Sequence, residues 1–133
     1  MQAIAVDGFG GPEVLTAAEV SRPVPAATQV LVELTVSGVN FLDVYQRSGG
    51  TPLKPRFLAG VEGVGRVVEV GSGVGDLAVG QRVGWLTGGQ GSFADYAAVE
   101  AAKAVPIPDD VDDESAAAVL MQGVTAHYLA TDT

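Results

Sequence analysis

Two side chains able to donate hydrogen bonds, Asn40 and Tyr45, stand in the short run Asn40-Phe41-Leu42-Asp43-Val44-Tyr45. An amide and a phenol just past a strand end are placed to meet a ligand, because binding groups concentrate where loops leave regular structure. The same residues also fit a helix-capping Asn followed by a packing Tyr. Glu62, inside Gly60-Val61-Glu62-Gly63-Val64-Gly65, fits either a functional carboxylate or a paired surface one. His127 is the single histidine, and beside Tyr128 it reads as structural or surface. With one histidine and no cysteine, no zinc site of common composition, no disulfide and no thiolate chemistry can be assembled within these residues. The glycines contain neither G-x-G-x-x-G nor a Walker A spacing, and the 60–65 run leads into a β pattern, so they read as turn and packing residues.

The elements that would carry these residues are mostly short strands. Met1 to Val6 reads as a strand, Gly8 to Pro12 as a turn, and Val14 to Val20 as the returning arm of a hairpin. Between Gln29 and Ser37, Val30, Val32, Leu34 and Val36 alternate with Glu33, Thr35 and Ser37, the period of a half-buried strand. Asn40 to Gln46 fits a short helix closed by Arg47-Ser48-Gly49-Gly50. Residues 51–58, with Pro52 and Pro55, read as loop. Gly63 to Val70, Arg82 to Leu86 and Phe93 to Val99 read as further strands, the last two separated by Gly88-Gly89-Gln90-Gly91. Val105 to Pro108 reads as an edge piece, because proline cannot donate to a central ladder. Asp112 is placed to cap a helix through Leu120, Gly123 to interrupt it, and Thr125 to Ala130 to begin another. Short strands at regular turn spacing predict a small barrel or sandwich.

Composition narrows the partners. The 133 residues, 47% of them hydrophobic, suffice for one packed domain. A formal charge of −9 repels phosphate backbones and anionic lipids, which argues against nucleic acid and membrane as partners. A nucleotide cofactor remains compatible, since a local helix N-terminus or arginine can outweigh the global field. Met1-Gln2-Ala3-Ile4 opens without a basic, then apolar, leader, and the chain reads as soluble and cytoplasmic.

Several segments, in order, resemble one family. Gly10-Gly11-Pro12-Glu13-Val14-Leu15 resembles the opening hairpin of quinone oxidoreductases, and Ser37 through Gly49 their substrate-side segment. Gly60 to Gly65, continuing to Val70-Gly71-Ser72-Gly73-Val74, resembles the glycine-and-glutamate signature of the medium-chain dehydrogenase/reductase superfamily. Val79 to Val83 and Gly91 to Tyr96 resemble its later strands, and Gln122-Gly123-Val124-Thr125-Ala126 the start of the helix leading to its nucleotide domain. Zinc-dependent relatives carry cysteine at the position of Asn40 and histidine at that of Val61, so the branch implied is the zinc-free, zeta-crystallin-like one.

The resemblance implies a mainly β fold with short helices, a GroES-like, partly open β-barrel without its partner Rossmann domain. Residues 1–121 would form the GroES-like catalytic domain and 122–133 the start of the connecting helix. The implied function is the substrate-side part of an NADPH-dependent quinone or enone reductase that transfers hydride without zinc. It makes Asn40 and Tyr45 catalytic, Asn40, Gln122 and Thr125 cofactor-binding, and no residue a metal ligand. Without a Lewis acid, charge growing on the acceptor oxygen must be met by hydrogen-bond donors. The family's Rossmann strand and glycine loop would follow Thr133, so this polypeptide alone is expected not to act as a competent NADPH reductase. Implied partners are a second copy of the chain or a complementing Rossmann-domain chain, drawn by an apolar cleft wall around Asn40, Tyr45 and Leu120. The alternative is a GroES-like interaction module without catalytic activity.

Overall fold

The computed structural model describes residues 1–86 and 91–131. Among the described residues eight strands, two α-helices and two short 3₁₀ turns follow one another as β1 (Gln2–Val6), a turn at Pro12–Val14, β2 (Leu15–Glu19), β3 (Gln29–Gly38), α1 (Phe41–Arg47), β4 (Phe57–Leu58), β5 (Glu62–Val70), β6 (Arg82–Leu86), β7 (Tyr96–Glu100), a turn at Ala101–Lys103, β8 (Val105–Pro106) and α2 (Asp113–Thr131). The strands form two open sheets, ordered β2-β1-β4 and β7-β3-β5-β6-β8. The fold is mainly β, as expected, and the described strands do not close into a barrel.

The hairpin forms as its turn residues require, with Gln2 opposite Glu19 and Val6 opposite Leu15. The period-two reading of β3 holds for Val30 and Val32, but Leu31 is fully buried as well. The reason is position: β3 is paired on both edges, by β5 and β7, and its register shifts between Leu31 and Val32 and between Leu34 and Val36. A bulge turns side chains that strict alternation would send outward.

Three local expectations are corrected. Residues 51–58 are not all loop, because Phe57–Leu58 pairs with β1 and buries the Phe57 ring beside Val6 and Ala59. The strand expected from Phe93 begins only at Tyr96; the residues before it cross to the first sheet, where Phe93 and Gln2 carbonyls accept from Ile4 and Asp95 backbone N–H groups. Gly123 does not interrupt α2, which runs unbroken to Thr131. One glycine costs a helix about 1 kcal/mol, less than the good helix formers around it restore. The 121/122 division therefore falls inside a continuous helix. Of the segment between β6 and β7, Gly88, Gly89 and Gln90 lie outside the described residues.

The helix is fastened to the sheet at its first turn. Asp112 caps it, accepting from the Ser115 backbone N–H at 2.8 Å. Asp113 meets Arg82 of β6 at 2.7 Å and accepts from the Thr35 hydroxyl of β3 at 2.7 Å. Farther on, Ala116, Ala117 and Leu120 pack over Val64 with Val36, Ile107 and Val111. The Thr35 hydroxyl first, then Arg82, hold the Asp113 carboxyl below its usual range against a desolvation that opposes them. A depressed folded-state value means that this stabilisation is present above the unfolded pKa, about 4, and is lost as pH falls through the lower folded value. We expect Asp113→Asn to lose about 1 kcal/mol at neutral pH and to flatten the fall in stability below about pH 4, read from urea unfolding across pH. An unchanged acid limb would show that the clamp does not operate.

Candidate active site

Three elements converge at the end of β3. Asn40 occupies the N-cap position of α1, with extended backbone angles, and the N3 residue Asp43 accepts its backbone N–H at 2.8 Å. Capping settles the backbone role of Asn40, and its amide does something further. Nδ2 donates to Oε2 of Glu62 at 2.7 Å, and Oδ1 accepts from Nε2 of Gln122 at 2.9 Å. The other Glu62 oxygen, Oε1, accepts the Met121 backbone N–H of α2 at 2.7 Å. The capping reading holds, and the amide is in addition a member of a buried hydrogen-bond network.

Glu62 corrects the surface reading. It is 0% exposed at the start of β5, directly opposite Gly38. A carboxylate out of water needs donors on its oxygens, and here two arrive from elements that are far apart in the chain. Asp43 lies close enough that its carboxyl is raised, chiefly by desolvation, against the lowering Asn40 hydrogen bond and with a further raising contribution from Glu62. Its Oδ1 is buried without a hydrogen-bond partner among the described residues.

Beside this buried cluster lies an open edge. Tyr45 is 52% exposed, and its ring meets Phe41 edge-on at 5.0 Å between centroids. Val39 and Phe41 are exposed too. On α2, Gln122 and Thr125 are both exposed and stand one turn apart, hence on one face. The structure thus joins Asn40 directly to Gln122 and leaves Tyr45 and Thr125 on the surface without a hydrogen bond to that pair. Of the three residues named for the expected apolar wall only Tyr45 is itself exposed, but their sequence neighbours Val39, Phe41 and Val119 are exposed as well. Asn40 is buried and Leu120 is partly buried in the cluster under α2. His127 is exposed on α2. Among the described residues no group of three or more His, Asp or Glu side chains is placed to hold a metal ion, and no helix is long and apolar enough to cross a membrane.

What residue-type reasoning missed was Glu62 as the hub and Gly38 as the space it needs. The signal was present: one acid in the otherwise Gly/Val run of residues 60–65, which is a polar residue at a position patterned for burial.

This two-sheet frame, with an amide and a buried carboxylate at the mouth of β3 and β5, is the GroES-like class of domain. Residues 26–109 match the model of the alcohol dehydrogenase GroES-like domain, and the chain belongs to that family. A quinone oxidoreductase of Pseudomonas aeruginosa is 39% identical over 127 residues, which cover 94% of this chain and 39% of that protein. The polyketide synthase GfsB of Streptomyces halstedii is 48% identical over 105 residues, 78% of this chain and 2% of that protein. Among solved structures, Escherichia coli quinone oxidoreductase complexed with NADPH superposes with a TM-score of 0.94 at 36% identity, covering 98% of this chain and 40% of that one. The chain spans about two-fifths of the length of the quinone oxidoreductases it matches.

Proposed function

We propose that this chain is the substrate-side part of an NADPH-dependent quinone or enone reductase, with Asn40 and Tyr45 as its donors and Asn40, Gln122 and Thr125 as its contacts to the cofactor. The observation that carries the reading is the buried Glu62–Asn40–Gln122 network beside an exposed aromatic edge. That arrangement fits a nicotinamide: amide groups for a carboxamide, and the exposed rings of Phe41 and Tyr45 for a flat heterocycle. When bound, the cofactor supplies the hydride. The chain's own task is to meet charge growing on the acceptor oxygen. One Nδ2–H of Asn40 is engaged by Glu62, which leaves its second N–H and the Tyr45 hydroxyl as donors. Quinones and enones delocalise that charge, so a metal is less necessary for them than for a simple alcohol–ketone pair.

In this reading residues 1–121 are the catalytic domain, and α2 from Gln122 onward leads toward a nucleotide-binding domain that supplies most of the diphosphate contacts. The protein works in the cytoplasm, alone in a longer chain, as a homodimer or beside a complementing Rossmann-domain chain. NADPH oxidation with a simple quinone and with an enone, followed for this chain alone and supplied with a quinone oxidoreductase nucleotide domain, tests it. Turnover is expected only with the added domain, and Asn40→Ala is expected to lower kcat about 100-fold while the protein stays folded. No turnover on either acceptor would end the reading. The identity to the polyketide synthase favours a second arrangement, in which the same fold is one piece of a multidomain chain.

A further inference from the structure

We propose that Glu62 is a positioning residue whose buried carboxylate sets the direction of a hydrogen-bond relay, Gln122 to Asn40 to Glu62, and thereby fixes which atoms of the Asn40 amide remain for a ligand. An amide can face either way at almost equal shape, because its oxygen and nitrogen differ little in size. A carboxylate removes that freedom. Oε2 of Glu62 lies 2.7 Å from the near atom of the Asn40 amide; an oxygen there would leave two acceptors facing each other out of water, and a nitrogen makes a charge-assisted bond. With Nδ2 turned to Glu62, Oδ1 must face Gln122, which is then obliged to present its own Nε2, at 2.9 Å.

The carboxylate is itself prevented from turning. Oε1 is held by the Met121 N–H at 2.7 Å, on the residue before Gln122, so one group orients the amide and pins the helix that carries the next relay member. Gly38 leaves the room: a Cβ there would lie 2.1 Å from Oε2. At full burial, water offers Glu62 no alternative partner. If the chain is the reductase part proposed above, Asn40 keeps its second Nδ2–H, a donor, for the acceptor oxygen.

The chain holds a single asparagine, so asparagine-selective ¹⁵N labelling of the whole chain yields one side-chain NH₂ pair. In the unaltered protein the two protons are expected to be well separated, with the one facing Glu62 downfield and exchanging with solvent at least about tenfold more slowly than a free amide. Gln122→Leu, at an exposed helix position, removes the far donor and is expected to leave that proton in place. Glu62→Gln must turn its own NH₂ to Asn40 if its oxygen keeps Met121, so in a chain that also carries Gln122→Leu, where a turned Asn40 amide finds no acceptor, the downfield proton is expected to disappear while the backbone spectrum stays folded. A fast-exchanging pair in the unaltered protein, separated no more than in a free asparagine, overturns the proposal, whether or not the Glu62 variant folds. So does loss of the proton in Gln122→Leu, or its persistence in a folded chain carrying both substitutions. None of these readouts needs a quinone to be reduced, so failure of the reductase reading and failure of the relay are separate results.

Discussion

Replacing Gly38 with alanine is expected to unseat the buried carboxylate and lower the stability of the chain by about 3 kcal/mol or more. Gly38 is paired with Glu62 across the β3–β5 ladder, and an added Cβ would meet Oε2 at 2.1 Å, Cδ at 2.5 Å and Cγ at 2.9 Å. A clash with the tip of an exposed glutamate would be cheap. This one has no exposure, and both of its oxygens are engaged. The side chain must leave, breaking two bonds to a charged acceptor worth about 1.5–3 kcal/mol each, or the strands must part. Urea unfolding is expected to show a lower midpoint at unchanged slope. Combined with Glu62→Ala, the Gly38 substitution should add little further loss, because the two act on the same contact. An unshifted midpoint in Gly38→Ala would mean that the carboxylate relocates freely and that the hub is not rigid.

Trp85→Ala carries the other large effect, about 3–5 kcal/mol. The ring is 1% exposed and packs in the main core with Val30, Val32, Val67, Leu77, Val83, Ala97 and Val99, under the sheet that carries Glu62. Truncation leaves a void that strands on both sides cannot collapse into. Trp85→Phe makes the argument sharper. The indole Nε1 is buried with no hydrogen-bond partner among the described residues, so part of what tryptophan contributes in apolar contact is offset by an unsatisfied donor. Phenylalanine gives up volume but removes that donor, and the expected loss is below about 2 kcal/mol. A phenylalanine variant as unstable as the alanine one would show that the indole nitrogen is satisfied after all.

Much of the scaffold was readable residue by residue. The hairpin followed from turn residues between two short β runs, α1 from Asn40 and the closing glycines, and the start of α2 from Asp112, since each rests on backbone preferences over a few residues. The errors have physical causes too. Gly123 was given more breaking power than one glycine has against a long run of helix formers. Phe57–Leu58 pairs because β1 offers an edge, and no property of the two residues announces that partner. Leu31 is buried because β3 is flanked on both sides and bulged, which its own alternation does not encode. At the site, Asn40 and Gln122 were both singled out, but as separate contacts to a cofactor and not as members of one network.

Residue types alone settled the exclusions and the ingredients: no thiol, a single imidazole, strong negative charge, and amide and phenol donors next to a strand end. They settled these because composition and near-neighbour spacing are properties of the chain before it folds. Which ingredients meet was settled by packing. Asn40 reaches Glu62 across 22 positions, Met121 reaches it across 59, and Gln122 reaches Asn40 across 82. Contacts of that span exist only once β3 and β5 are in register and α2 lies across them, and burial then turns an ordinary glutamate into the group that orders its neighbours.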